Sequence, residues 1–125
     1  MQLDSRTQTP GGATASSSLY VEGTRWTRYS YMTDGPGIPG YSSGSLTDAQ
    51  AEDLQQLVTS RELAHEQWLH VRIDCGNKPV TSWTLRTGSL AMSAPSCNGE
   101  LPKLPVTFAK VTQLLSQATA PGQAG

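Results

Sequence analysis

Two histidines flank a glutamate in His65-Glu66-Gln67-Trp68-Leu69-His70, the segment closest to a catalytic signature. A zinc-hydrolase motif holds its histidines four residues apart, so that both imidazoles leave one face of a helix. Here the spacing is five. On a helix that turns the second ring by about 140° from the first, and joint chelation fails. No metal is expected at this segment, and no signature of any other cofactor occurs in the chain. A metal-assisted hydrolase using His65, Glu66 and His70 is the least favoured of three functional readings. Cys75 as a nucleophile needs a base and an electropositive setting, and on a strand His70 falls on the face opposite to it. Asp74, beside Cys75, reads as a charge at a hairpin end. Gly35-Pro36-Gly37 is no phosphate cradle, because Pro36 and Pro39 remove amide donors and no Lys follows. The expected protein is therefore not an enzyme.

Binding of nucleic acid or an anionic membrane is also disfavoured. The mixture of Arg25, Trp26, Arg28, Tyr29 and Tyr31 is confined to one short stretch, where arginines snorkelling from a solvent-edge strand suffice. A net charge of −1 supplies no long-range field for a polyanion.

Cys75 and Cys97 are the only cysteines, and they bracket the strand-like stretch Val80 to Met92. Without a CxxC or a histidine cluster, such a pair reads as a disulfide, which persists in oxidising compartments. The alternative is two thiols buried in a cytosolic protein. With 36% hydrophobic residues the core is thin, so a cross-link matters; the chain-entropy model credits it with about 3 kcal/mol. Met1-Gln2-Leu3-Asp4 begins no signal peptide, so either the methionine was added to a mature form or the protein is cytosolic. No apolar run reaches the roughly 18 residues of a transmembrane helix. An extracellular, periplasmic or cell-envelope location is expected, with the cytoplasm as alternative.

The positioning elements follow from pattern. Thr7 to Ser18 is mostly Thr, Pro, Gly, Ala and Ser, the composition of a tether, so residues 1–18 are expected to be disordered. Order begins at Leu19-Tyr20-Val21, and Arg25 to Thr33 is a strand with Thr27, Tyr29, Tyr31 and Thr33 on one face; its inward side is undecided. Asp34-Gly35-Pro36-Gly37-Ile38-Pro39-Gly40-Tyr41 is too rich in Gly and Pro for a ladder or a helix. Ile38 and Tyr41 are large apolar groups on that loop, so it either binds a partner or tucks Ile38 into the core. The residues expected to meet a partner are Asp34, Pro36, Ile38, Pro39 and Tyr41.

Thr47-Asp48-Ala49-Gln50 is a capping box opening a helix whose stripe is Ala51, Leu54, Leu57 and Val58. Leu63 and Ala64 extend that helix or form a separate turn. Trp68 to Cys75 alternates with Leu69, Val71, Ile73 and Cys75 on one face, which predicts a half-buried strand. Gly76-Asn77-Lys78-Pro79 would turn it into an antiparallel hairpin with Val80 to Thr87, followed by a short strand at Leu90 to Ser93. A last helix opens with Pro105 at its first position and carries Leu104, Phe108, Val111, Leu114 and Leu115. The fold class is α+β: a small antiparallel sheet of three to five strands packed against two amphipathic helices. The domain runs over residues 19–117, with a disordered tail at 118–125.

Several of these elements together resemble the layout of emfourin-type proteins. They are the aromatic strand Tyr29-Ser30-Tyr31-Met32, the loop Asp34-Gly35-Pro36-Gly37, the helix Leu46-Thr47-Asp48-Ala49-Gln50-Ala51-Glu52-Asp53-Leu54, the strands around Trp83-Thr84-Leu85-Arg86, and a closing helix. The resemblance spans about residues 25–117; the cysteine pair and the N-terminal tether stand outside it. It implies a small bacterial inhibitor of thermolysin-like metalloproteases. The expected function is thus a non-enzymatic secreted or envelope-associated module that binds a protein, in its sharpest form a protease, through the Gly/Pro-rich loop. A lipoprotein-like accessory domain is the second reading.

Overall fold

A computed structural model describes residues 1–8, 12, 14–32 and 40–120, without the side chain of Met32. Among the described residues, six strands form one antiparallel sheet. β1 (Gln2–Gln8), β2 (Thr14–Glu22), β3 (Arg25–Met32) and β4 (Gly40–Ser45) make a meander, each strand pairing with the one before it. α1 (Asp48–Val58) and α2 (Arg61–Glu66) then carry the chain to β5 (Val80–Thr87), which pairs with the other side of β1. β6 (Leu90–Cys97) completes a hairpin with β5, and α3 (Val106–Ala118) follows. The order across the sheet is β4-β3-β2-β1-β5-β6.

Register explains where the core lies. Leu3 stands between Leu19 and Leu85, and Met92 lies beyond Leu85, so one row crosses four strands. Val21 faces Trp26 in the next row. Side chains alternate across a strand, so these residues share one face, and the helices cover it. Leu54 of α1, Leu63 of α2 and Phe108, Val111, Leu115 and Ala118 of α3 supply the buried helical side. Phe108, Leu63, Leu85, Leu115 and Val111 are completely enclosed. Burying such a side chain stabilises the fold by about 1.5–3 kcal/mol relative to leaving it in water.

Two glycines are required by geometry. A Cβ on Gly44 would lie 2.7 Å from the Trp26 ring, so β4 can close on β3 only where a side chain is missing. Gly88 takes φ +56 in the two-residue turn between Thr87 and Leu90, the conformation that joins tightly twisted strands.

Local signals form as read at α1. The Gln50 amide donates to Thr47 Oγ1 at 3.1 Å, and the Thr47 amide donates to Gln50 Oε1 at 2.9 Å. Leu63 belongs to a separate short helix capped by Ser60, whose hydroxyl oxygen accepts from the Leu63 amide. Pro105 is the N-cap of α3 and not its first helical residue.

Several expectations are corrected. The sheet has six strands where three to five were expected, and there are three helices among the described residues, not two. Residues 2–8 and 14–18 are not a tether: β1 is a central strand, and β2 already begins at Thr14, while residues 9–11 and 13 lie outside the described ones. Gln2, Gln8, Ser16 and Ser18 occupy the face away from the helices, while Ser5, Thr7 and Ser17 share the helix side with Leu3 and Leu19, where Thr7 bonds the buried Thr81 hydroxyl. Hydrogen-bonding neighbours on both sides outweigh the weak local propensity of such a sequence. Trp68 to Cys75 is not a strand. Both sides of β5 are occupied, by β1 and β6, so the predicted partner for that segment is taken. Ala118 ends α3 and Thr119 is buried, so the expected tail is ordered at its start; residues 121–125 lie outside the described ones.

Candidate functional site

Of the five residues expected to meet a partner, Asp34, Pro36, Ile38 and Pro39 lie outside the described residues. Tyr41 is described, as the second residue of β4, and is 64% exposed. It belongs to an array that sequence reading did not assemble. Tyr41 stands directly across from Tyr29 of β3, their rings 5.4 Å apart at 60°. Tyr20 of β2 lies diagonally to Tyr29, with ring centroids 6.0 Å apart at 77°. Edge-to-face pairs of this kind contribute about 0.5–1.5 kcal/mol beyond simple burial. Tyr31, two residues along β3, continues the same face at 49% exposure.

This face is opposite to the core. Its other positions on β2–β4 include Ser16, Ser18, Glu22, Arg25, Thr27, Ser43 and Ser45. Rings held on strands, ringed by hydroxyls, form a firm amphipathic surface that loses little side-chain entropy on binding. The alternation of Tyr29 and Tyr31 was a usable signal in the sequence, whereas Tyr41 was read as a loop residue and needed the register of β4. Tyr20 was not legible, because it needed the register of β2.

Arg28 sits on the other face of β3, so it is not a snorkelling surface residue. Its Nη1 donates to the Thr119 carbonyl at 3.2 Å, Nη2 donates to Thr119 Oγ1, and the guanidinium lies 5.7 Å from the Trp26 ring centroid. Burial pushes its pKa below the ordinary arginine value. A cation at the C-terminal end of α3 also complements the helix dipole. The residue therefore ties β3 to α3 beneath the tyrosines.

A second exposed region begins at Glu66. Its Oε2 accepts from the Thr107 amide at 3.0 Å and its Oε1 from the Phe108 amide at 2.9 Å, capping α3 where Pro105 offers no side-chain bond. The glutamate of the apparent zinc motif is thus a helix cap contributed from another element, while His65 and His70 are exposed. Among the described residues, no group of three His, Cys, Asp or Glu side chains could hold a metal ion.

Beyond α2 the chain runs as an irregular strap from Trp68 to Asp74, with Trp68 75% and Leu69 57% exposed. It is fastened at its far end by the Cys75–Cys97 disulfide, with Cα atoms 5.4 Å apart. Cys97 in turn rests on a bonded polar cluster. The Gly99 amide donates to Thr81 Oγ1 at 2.7 Å, Trp83 Nε1 donates to Ser96 Oγ at 2.8 Å, and Ser96 Oγ donates to the Glu100 carbonyl. A cleft of about 340 Å³ lies between strap and β6, lined by Val71, Ile73, Leu101 and Leu104 and edged by Arg72 and Lys103.

No described helix is long and apolar enough to cross a membrane. Comparison of the chain with protein-family models, with curated proteins and with solved structures finds no match.

Proposed function

We propose that the chain is a non-enzymatic protein-binding module that works outside the reducing cytosol. It meets its partner with the tyrosine face of β2–β4 and with the Gly/Pro-rich segment that leads into Tyr41. The observation that carries this reading is the edge-to-face contact of Tyr20, Tyr29 and Tyr41 on a solvent-facing sheet surface. Tyrosine is enriched at the cores of protein interfaces, where its ring buries apolar area and its hydroxyl finds a polar partner. Pro36 and Pro39 restrict the neighbouring segment before binding, which lowers the ordering cost of association. The disulfide supports an oxidising compartment.

In its sharpest form the partner is a thermolysin-like metalloprotease, blocked by the loop containing Ile38. The test is a titration of the purified chain into a peptide-hydrolysis assay of such a protease. Inhibition that weakens at least about tenfold in an Ile38→Ala/Tyr41→Ala variant of unchanged melting temperature supports it. Absence of inhibition by wild-type chain removes the protease. The wider reading is tested by quantitative capture from culture supernatant: a partner retained by wild type and lost with Tyr20→Ala/Tyr41→Ala supports it. Equal capture by both chains overturns it.

A further inference from the structure

The two edges of the sheet are finished differently. In antiparallel pairs, residues alternate between exchanging hydrogen bonds and turning their amide and carbonyl to the other side. The Leu46 amide donates to the Thr24 carbonyl, which fixes the phase at β3–β4. In that phase Gly40, Ser42 and Gly44 bond to β3, while the main-chain groups of Tyr41, Ser43 and Ser45 point away from the sheet.

At the opposite edge the two-residue turn between Thr87 and Leu90 sets the phase, and Ala91, Ser93, Pro95 and Cys97 point outward on β6. That edge is blunted: Pro95 has no amide to offer, the Cys97 carbonyl accepts from the Glu100 amide, and the disulfide holds the strap beside it. Prolines, charges and covering segments are how native edges avoid pairing with other chains. β4, Gly-Tyr-Ser-Ser-Gly-Ser, has none of these devices within it.

We infer that β4 pairs antiparallel with β4 of a second copy of this chain, across a two-fold axis at Ser43. This register is the one in which every outward amide and carbonyl of Tyr41, Ser43 and Ser45 finds a partner, Ser43 with its own counterpart and Tyr41 with Ser45 of the other copy. The strand is self-complementary in side chains as well as in backbone. It carries no charge to repel its twin or to select an acidic or basic peptide, and Ser42 meets only the glycine at position 44 across the axis. Isologous contacts of this kind close on themselves and yield a dimer, not a fibre. Both tyrosine faces then lie on the same side of one continuous sheet, doubling the surface whatever it binds.

Sedimentation velocity of the full chain over a concentration series tests the inference. Wild type is expected to show a reversible monomer–dimer equilibrium. Ser43→Lys places like charges on the axis, and Ser43→Pro removes an amide that β3 does not use; each should raise the dissociation constant at least about tenfold. Ser93→Lys, on the outer edge of β6, should leave it unchanged. Thermal melts identify any variant that fails to fold, in which case the other Ser43 variant decides. A wild-type chain that stays monomeric to about 1 mM overturns the inference. So does a dimer indifferent to the folded Ser43 variant, or one dissociated by Ser93→Lys.

Discussion

The tyrosine face and the disulfide strap both put large apolar side chains into water, yet they are held by opposite means. Tyr20, Tyr29 and Tyr41 stand on paired strands whose register sets their spacing, and Trp26 and Arg28 brace β3 from behind. Trp68, Leu69 and Ile73 stand on a segment outside any ladder, fastened at one end through Glu66 and α2 and at the other by a covalent bond. A ladder fixes each side chain individually, whereas a clasp fixes only the ends of what it fastens. A recognition surface needs the first kind of support, because positions that are already set lose less entropy on binding.

The strongest way to break this contrast is to open the clasp. Replacing Cys75 and Cys97 by Ala removes a cross-link between residues 22 apart and should cost about 3 kcal/mol, lowering the melting temperature by more than about 10 °C. If the two regions are independent, partner capture by the remaining folded protein stays at the wild-type level; a parallel loss would join them. Gly44→Ala attacks the scaffolded side instead. The new methyl meets the Trp26 ring and should cost about 1–3 kcal/mol in denaturant titration, while reducing partner capture as β4 is displaced.

Glu66→Ala leaves the Thr107 and Phe108 amides without their acceptor and should cost about 1–2 kcal/mol, with Glu66→Gln falling between it and wild type in urea melts. Hydrogen exchange should then speed up at the first turn of α3 and not in β3. Tyr41→Ala is expected to change stability least, by about 0.5 kcal/mol, since its ring is mostly in water. Its effect should appear in binding alone, and a large stability loss would recast the array as structural.

The same contrast explains what could be read in the chain beforehand. The capping box at Thr47 and Gln50, the strand at Arg25 and the cysteine pair are local or pairwise signals, and each formed as its chemistry required. β1 and the first half of β2 were illegible because their fitness as strands lies in their neighbours, whose hydrogen bonds hold Ser, Thr and Gln in the ladder on either face. The alternation from Trp68 to Cys75 misled for the converse reason. A strand needs an unoccupied edge as well as a pattern, and β1 had taken the one beside β5. The tyrosine array was half visible, as Tyr29 and Tyr31 alternating along one strand; Tyr20 and Tyr41 needed the registers of β2 and β4.

Leu3 rests between Leu19 and Leu85, one neighbour close along the chain and the other far. On the ribosome, or emerging from a translocation pore, the first strand is complete long before its second neighbour exists. The meander can assemble early, but its inner edge stays open until β5 arrives, and such long-range pairing is intrinsically slow. Chains in that waiting state present a ready template to one another. A chaperone that shields the side of β1 awaiting β5 would therefore be most useful during the interval between synthesis of residues 8 and 87.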